Sequence, residues 1–366
     1  MRAVQSRLKG CRLCFPVKAN GYGHGAVPLA RRAQALGVDY FGVANLNEAL
    51  ELRRAGIEKP ILIFSASRLS HIPELVEAEV DVTLSSLGFA EALDAAAARR
   101  GRRVRVQLKV DTGMGRNGVW WEQALPLAAK LARLPHLDFV GVFSHFSASY
   151  GESPEDRAFT LGQLEAFERL LGAMKAKGVL PRLRHIANSS GLVQYEDRVA
   201  AGAFNMVRPG ILLYGEPELR RPWTEPVRPI LRRRGWVTGV STLEAGRFIG
   251  YGREYRTPTT RRIATLPIGY ADGVNWWLKN RGKVWVHGRL APIVGGISMD
   301  QITVDVSDVP DVEPDDEVYL IHDELPALEV ARTLGASFSE VVLTALSRRV
   351  ARTYVGAPAP RPLPCG

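Results

Sequence analysis

The chain is expected to fold as an N-terminal (β/α)8 TIM-like barrel joined to a C-terminal, mostly-β domain, an α/β protein of two parts. Three observations carry that expectation. Over roughly the first 215 residues, short apolar runs alternate with segments of helical periodicity about eight times, joined by short connections. Beyond residue 222 the texture changes to β-type runs separated by Gly, Pro and Asp turns. The length of 366 residues also exceeds what one hydrophobic core ordinarily serves. A barrel over residues 1–221 and a second domain over 222–366 account for the whole.

The elements follow in order. Residues 11–17 read as a strand and 26–36 as a helix, then 40–44 as strand and 46–55 as helix. Residues 61–64 give a strand before a helix near 72–78, and 80–84 leads into 88–99. The run 104–110 precedes a helix over 122–134, and 139–144 precedes a long helix over 158–177. Residues 183–187 and the stretch from Met206 supply the last strands. Parallel strands with helices outside close most economically as a barrel. The Pro-rich segment 221–226 reads as a hinge. After it, β-type runs fall at 235–242, 262–267, 283–286, 302–306 and 317–321, closed by helical stretches at 327–334 and 338–347.

Composition narrows the function. Hydrophobic residues make up 46% and charged residues 23%, an ordinary globular balance. The net charge of +10 comes from arginine, since only nine residues are lysine. Scattered arginines with no longer run than Arg232–Arg234 give no nucleic-acid footprint. No apolar stretch approaches the roughly 18 residues of a membrane span, and no signal peptide is visible. Three cysteines, Cys11, Cys14 and Cys365, make neither a disulfide framework nor a metal site. A reducing cytoplasm is the expected location.

Barrel active sites lie at the C-terminal ends of the strands, and several polar residues fall there. Lys18 ends the first strand in Pro-Val-Lys-Ala-Asn-Gly-Tyr-Gly-His-Gly; partial desolvation would lower its pKa and make it an imine-forming amine. Lys109 and Arg116 bracket Lys-Val-Asp-Thr-Gly-Met-Gly-Arg after another strand. His145 follows a third, and His185-Ile-Ala-Asn-Ser-Ser-Gly a fourth. The close of the barrel, Asn205-Met-Val-Arg-Pro-Gly-Ile, offers amides and glycines suited to a phosphate dianion. Read singly, Lys18 is a strand-end lysine, His145 and His185 are core histidines, Tyr251 packs, and Asp111 and Asp300 cap turns.

Taken together and in order, these motifs resemble those of alanine racemases, the pyridoxal-phosphate-dependent enzymes of fold type III. The resemblance runs from Leu8 to the C-terminus through Lys18-Ala-Asn-Gly-Tyr-Gly-His, Tyr251-Gly, Gly269-Tyr-Ala-Asp-Gly and Ser298-Met-Asp-Gln. It implies an amino-acid racemase, foremost of alanine, that makes D-alanine for peptidoglycan. It further implies a head-to-tail homodimer with shared active sites and pyridoxal 5'-phosphate as cofactor. By motif, Lys18 holds the cofactor and acts as one base, and Tyr251 of the other subunit is the second. Arg208 faces the pyridine nitrogen, and His145 packs on the ring. Arg116 binds the phenolic oxygen and the substrate carboxylate. Lys109, often carbamylated in this family, holds Arg116. Tyr22, Ser189, Gly210 and Ile211 contact the phosphate. Met299 and Tyr270 reach the substrate, and Asn188 and Asp300 support. For His185, Asn188 and Asp300 a structural role stays open.

The sequence departs from the family in four places. Relatives usually carry roughly 20 residues before the match to Met1–Lys9; either the assigned start is short here or the second domain has lost a strand, and a loss of stability is expected. Trp276 and Gly296 stand where relatives carry arginine along the path to the substrate, and Arg348 stands where some carry tyrosine. These changes suggest acceptance of amino acids larger than alanine, such as serine. Fold-type III decarboxylases lack the Tyr251 context, and single-domain barrel relatives lack the second domain.

Overall fold

The computed structural model describes residues 1–356; Cys365 lies outside them. Eight parallel strands form the barrel: β1 (Arg12–Pro16), β2 (Tyr40–Val43), β3 (Ile61–Ile63), β4 (Asp81–Leu84), β5 (Val104–Asp111), β6 (Leu137–Phe143), β7 (Leu183–His185) and β8 (Met206–Val207). Hydrogen-bonded order runs β7-β6-β5-β4-β3-β2-β1-β8. The two ends meet where Asn205 N donates to Arg184 O (3.1 Å) and Arg208 N to Ala187 O (3.0 Å). A further two-residue strand, Val119–Trp120, pairs beside the end of β5.

A helix follows each of the first seven strands: α1 (Ala26–Ala35), α2 (Leu46–Arg54), α3 (Ile72–Glu77), α4 (Leu87–Arg99), α5 (Trp121–Leu131), α6 (Pro154–Ala176) and α7 (Ser189–Val199). Local chemistry sets several starts. The side chains of Asn45, Ser153 and Asn188 accept hydrogen bonds from Glu48 N, Asp156 N and Gly191 N at the heads of α2, α6 and α7. Helix α7 is absent from the sequence reading. Its Ser-Ser-Gly start carries little apolar periodicity, and Tyr195 inside it leaves helical geometry, so the Asn188 cap is its clearest local signal. Within the barrel Cys14, Tyr40, Val140, Leu183 and Met206 pack into one buried cluster with Phe64 against it. Burial pushes the Cys14 thiol up to about 12, which suits a packing role.

The described residues divide into two compact units, 1–21 with 25–227 and 22–24 with 228–356. The second holds antiparallel strands β9 (Arg233–Trp236), β10 (Gly239–Leu243), β11 (Phe248–Ile249), β12 (Tyr255–Arg256), β13 (Arg261–Leu266), β14 (Lys283–Val286), β15 (Arg289–Pro292), β16 (Ile302–Asp305) and β17 (Glu317–Ile321). They form sheets β9-β17-β14-β15 and β10-β13-β16 and the ribbon β11-β12. Ile249, Ile263 and Val294 are buried together, flanked by Leu243 and Tyr255.

The single run expected over 235–242 is two strands in different sheets. The chain changes partner there, Val237 N bonding Asp316 O (3.0 Å) and Thr238 N bonding Thr265 O (2.8 Å). Of the final helices, one is α8 (Ala327–Thr333) and the other shrinks to α9 (Glu340–Leu343). Beyond α9 the backbone turns away, and Ser347 N donates to Asp272 O instead of to a preceding turn (3.4 Å). Among the described residues no helix is long and apolar enough to cross a membrane.

Candidate active site

The first strand ends at a strained turn. Ala19, Asn20, Gly21 and Tyr22 follow Lys18 in left-handed conformation, with φ of 51°, 52°, 61° and 50°. Only glycine adopts this region freely; other L-residues lose about 1–2 kcal/mol each. The turn is therefore held from outside. Gly21 N donates to Val17 O (2.8 Å) and Gly25 N to Asn20 O (2.8 Å), while Asn20 Oδ1 accepts from Ala26 N (3.1 Å). The Glu48 carboxylate takes Ala19 N on one oxygen and Ala44 N on the other, both at 2.7 Å. Lys18, half-buried, heads this braced turn.

Arg208, just past β8, is 4% exposed. Its Nη2 donates to Ser144 O (2.7 Å) and Ile186 O (3.1 Å) and contacts His145 Nδ1 (3.2 Å), and its Nη1 bonds His185 Nδ1. Every one of these partners is neutral. Among the described residues no carboxylate bonds the guanidinium, and none of these bonds uses Nε, so it can take a further acceptor. Burial lowers its pKa to about 10, leaving it charged at neutral pH. Burial first, and then the Arg208 charge, push His145 and His185 well below the usual histidine value, so both rings are neutral. Phe143 stacks on His185 with ring centroids 5.0 Å apart, and the Arg208 and Lys109 cations lie 5.3 and 5.5 Å from the Phe143 ring centroid.

Lys109, on the inner face of β5, is buried and donates to Val110 O (2.9 Å). Burial first, then Arg208, bring its pKa down to about 7. Arg116 sits at the end of the following loop, exposed, and among the described residues nothing bonds its guanidinium. The Lys109 ammonium and Arg116 are not hydrogen-bonded to each other. Instead Asp111 shapes the loop, accepting from Gly113 N (2.8 Å), Met114 N (2.8 Å) and Arg116 N (3.2 Å). Burial raises the Asp111 pKa, but the backbone donors outweigh it and the net shift is downward. Gly118 lets the loop return tightly, because a Cβ there would lie 2.9 Å from Asp111 N.

After β7, Asn188 Oδ1 accepts from Gly191 N (2.9 Å) and Ser149 Oγ (2.9 Å) and so starts α7. Ser189 is buried, and its Oγ accepts from Leu212 N (3.1 Å). The first amides of α7 therefore stand beside Gly210 and Ile211, and amides at a helix N-terminus have no intrahelical acceptor. Such an arrangement of donors suits an anion.

The second unit carries the remaining predicted residues. Tyr22 groups with it and is buried. Tyr251 is 79% exposed on a short turn where Gly250 and Gly252 both have positive φ. Gly250 must be glycine, since a Cβ would lie 2.8 Å from Gly296 N. Tyr270 N donates to Ser298 O and Ala271 N to Met299 O, both at 3.0 Å, so the Tyr270 and Met299 loops are tied together. Arg349 grips Asp272 through two bonds (2.6 and 2.9 Å) and Asp300 through a third (2.7 Å). Trp276 lies under Lys279 Nζ at 3.5 Å from its ring centroid, and Lys279 pairs with Glu254 (2.6 Å).

Sequence reasoning missed Glu48, Asp81, Gln107 and Arg349. Two signals were present. Asn45-x-x-Glu48 has the spacing of a helix start. The strand Val-Arg-Val-Gln-Leu-Lys-Val-Asp alternates apolar and polar with period two, which places Arg105, Gln107 and Lys109 on one face.

Cations and backbone amides at the strand ends of a barrel are the groups that suit a small phosphorylated anion. The chain belongs to the alanine racemase family, enzymes that isomerise amino acids: residues 1–217 match the alanine racemase N-terminal domain and residues 230–354 the C-terminal domain. It is 40% identical over 358 residues to the alanine racemase of Desulfovibrio desulfuricans, covering 97% of this chain and 94% of that one. The structure is similar to the alanine racemase of Clostridium difficile 630, with a TM-score of 0.90 and 32% identity over 96% of this chain and 91% of that chain. It is similar also to the Bartonella henselae alanine racemase with covalently bound pyridoxal phosphate, with a TM-score of 0.85 and 28% identity over 97% and 95% of the two chains.

Proposed function

We propose that this chain interconverts L-alanine and D-alanine with two bases, Lys18 and the Tyr251 of a second copy, and that pyridoxal 5'-phosphate is its cofactor. The reading rests foremost on Arg208, a buried guanidinium among neutral partners with a donor to spare. The donor set suits the cofactor: a lysine amine for its aldehyde carbon, Arg208 for its ring nitrogen, and the α7 N-terminus with Ser189, Gly210, Ile211 and Tyr22 for its phosphate. When bound, the cofactor supplies the electron sink that acidifies the substrate Cα–H.

The protein residues do the rest. Racemisation needs a proton removed from one face of Cα and another delivered to the opposite face, hence two bases. Lys18 Nζ serves one face and Tyr251 Oη the other. Arg208 keeps its charge near neutrality and does not hand its proton to the ring nitrogen, which tempers the sink and disfavours side reactions such as transamination. His145 packs as a neutral ring and joins Arg208 to Tyr251. Arg116 orients the substrate carboxylate. A Lys109 amine that is partly neutral near pH 7 can add to CO2, its nitrogen bonding the carbon and losing a proton, to give the carbamate that would hold Arg116. Asn188 supports the site by holding the start of α7 through Gly191 N, and Asp300 supports it by holding Arg349, while Met299 and Tyr270 border the substrate. The high exposure of Tyr251 in the single chain suits a residue that works in a homodimer partner. D-alanine for peptidoglycan, made in the cytoplasm, is the physiological role that goes with this activity.

Two measurements test the reading. The visible band of enzyme-bound cofactor should vanish in Lys18→Ala. Tyr251→Phe should lose proton abstraction from one enantiomer by about 10²–10⁴-fold; wild-type rates in both directions would overturn the two-base assignment.

A second reading, a racemase of broader specificity that takes serine, is favoured by Gly296. A Cβ at that position would lie 3.3 Å from Tyr251 O, so glycine leaves open a space beside the proposed base. Trp276 replaces a charge along the same path, and Arg348 stands near the expected place of the substrate side chain. Measuring kcat/KM across a panel of L-amino acids decides it, and a strong, exclusive preference for alanine would sink it.

A further inference from the structure

We infer that Asp81 is a positioning residue for the racemase site: through Gln107 and His185 it fixes the direction of the hydrogen-bond chain that ends on Arg208. The consequence for cofactor binding rests on the reading of Arg208 as the partner of the cofactor nitrogen; the direction of the chain does not.

Four buried side chains cross the barrel interior. Asp81, 1% exposed at the start of β4, accepts from Arg105 Nε (2.6 Å) and from Gln107 Nε2 (2.7 Å). Gln107 Oε1 meets His185 Nε2 at 2.8 Å, and His185 Nδ1 meets Arg208 Nη1. An ionised carboxylate can only accept hydrogen bonds. Asp81, paired with Arg105, therefore obliges Gln107 to turn its NH2 group toward β4 and its carbonyl oxygen toward His185. That oxygen requires a proton on His185 Nε2. The imidazole is neutral, so its Nδ1 is bare and accepts from the guanidinium.

Reversing the amide would reverse everything downstream. Gln107 would offer N–H to His185 Nε2, the proton would move to Nδ1, and two donors would face each other at Arg208.

The surroundings hold this arrangement. Gly141 on β6 leaves the slot that Gln107 fills, since a Cβ there would lie 2.5 Å from Gln107 Oε1. Phe143 lies nearly parallel to the His185 ring, at 5°, and fixes its plane. The acceptor on Arg208 is thus set from the opposite end of the barrel, by a residue that touches neither substrate nor cofactor.

The test uses Asp81→Asn and the double variant Asp81→Asn/Gln107→Glu in the full chain. Asparagine can donate as well as accept, so Gln107 is free to reverse. In the double variant the carboxylate introduced by Gln107→Glu accepts from both neighbours and restores the original direction. Long-range ¹⁵N–¹H spectra of histidine-labelled protein report the His185 tautomer without cofactor. The wild type should show the Nε2–H form, Asp81→Asn should gain the Nδ1–H form, and the double variant should return to Nε2–H. The Kd for pyridoxal 5'-phosphate should rise on the order of tenfold in Asp81→Asn, a usual scale for an outer partner of a site, and recover in the double variant. An unchanged tautomer in Asp81→Asn, or a double variant as impaired as the single, overturns the proposal. A changed tautomer with unaltered cofactor affinity and absorbance upholds the direction of the chain and overturns the reading of Arg208. Should Asp81→Asn fail to fold, Gly141→Ala displaces the same amide and is judged by the same spectra.

Discussion

Glu48 offers a direct test of how the turn after Lys18 is held. Ala19, Asn20 and Tyr22 in left-handed conformation together store about 3–6 kcal/mol, and something must offset it. One carboxylate oxygen of Glu48 accepts from Ala19 N and the other from Ala44 N, each at 2.7 Å. In Glu48→Gln one oxygen still accepts, but the amide NH2 confronts the second backbone donor. The two bonds differ in worth. Ala19 is exposed, so water can replace its acceptor, whereas the Ala44 bond is partly buried; the remaining oxygen therefore stays on Ala44 N, and the NH2 group faces Ala19 N on the strained turn. The net loss should be about 1–2 kcal/mol, the scale of one charge-assisted bond. At about 2–4 °C per kcal/mol for a barrel-sized domain, Tm should fall by about 2–8 °C. The assay is a thermal melt of the apoprotein, followed by the rate at which pyridoxal 5'-phosphate develops its visible band. Because the strained turn begins at Lys18, that rate should fall as well. Melting within about 1 °C of wild type, at an unchanged rate, would refute the reasoning.

Three other outcomes are expected. Lys109 titrates near 7 in the fold against 10.5 ordinarily, so above pH 7 the unfolded chain binds a proton that the native state does not. Stability should therefore rise with pH, and the wild type should gain about 2–3 kcal/mol relative to Lys109→Met between pH 7 and 9; urea melts in CO2-free buffer measure this, and a constant difference would count against it. Ser189→Ala removes the acceptor of Leu212 N at the proposed anion site, and the Kd for pyridoxal 5'-phosphate, read by absorbance titration, should rise on the order of tenfold. Arg349→Lys loses the forked grip on Asp272 and Asp300. KM should rise several-fold while kcat changes little; a fall in kcat alone would place Arg349 nearer the chemistry.

Much of the candidate site was legible because its residues sit in short contiguous motifs at strand ends. Lys18, Arg116, His145 and Arg208 could be picked out because a barrel directs chemistry to those positions. Glu48 was not, since its partners Ala19 and Ala44 are backbone amides, and an amide leaves no trace in residue identity. Gln107 and Asp81 lie inside strands that read as apolar runs, and their period-two alternation gains meaning only when β4, β5 and β7 face a common interior. Helix α7 escaped because the Ser-Ser-Gly segment at the proposed anion site is also a poor helix signal.

By itself the sequence determined the alternation of strands and helices as far as the seventh strand, the change of texture near residue 222 and the family motifs, because periodicity, caps and strand-end positions are local properties. Tertiary structure alone decided that the run near 237 serves two sheets, since an extended segment does not specify its partners. It also decided that Arg208 is a buried cation among neutral groups, and that Lys109 titrates near 7. Both depend on desolvation and on charges brought close from distant parts of the chain. The direction of the Asp81–Gln107–His185–Arg208 chain is the furthest such case. No pair of those residues is adjacent in sequence, and only the closing of the barrel gives their hydrogen bonds a sense.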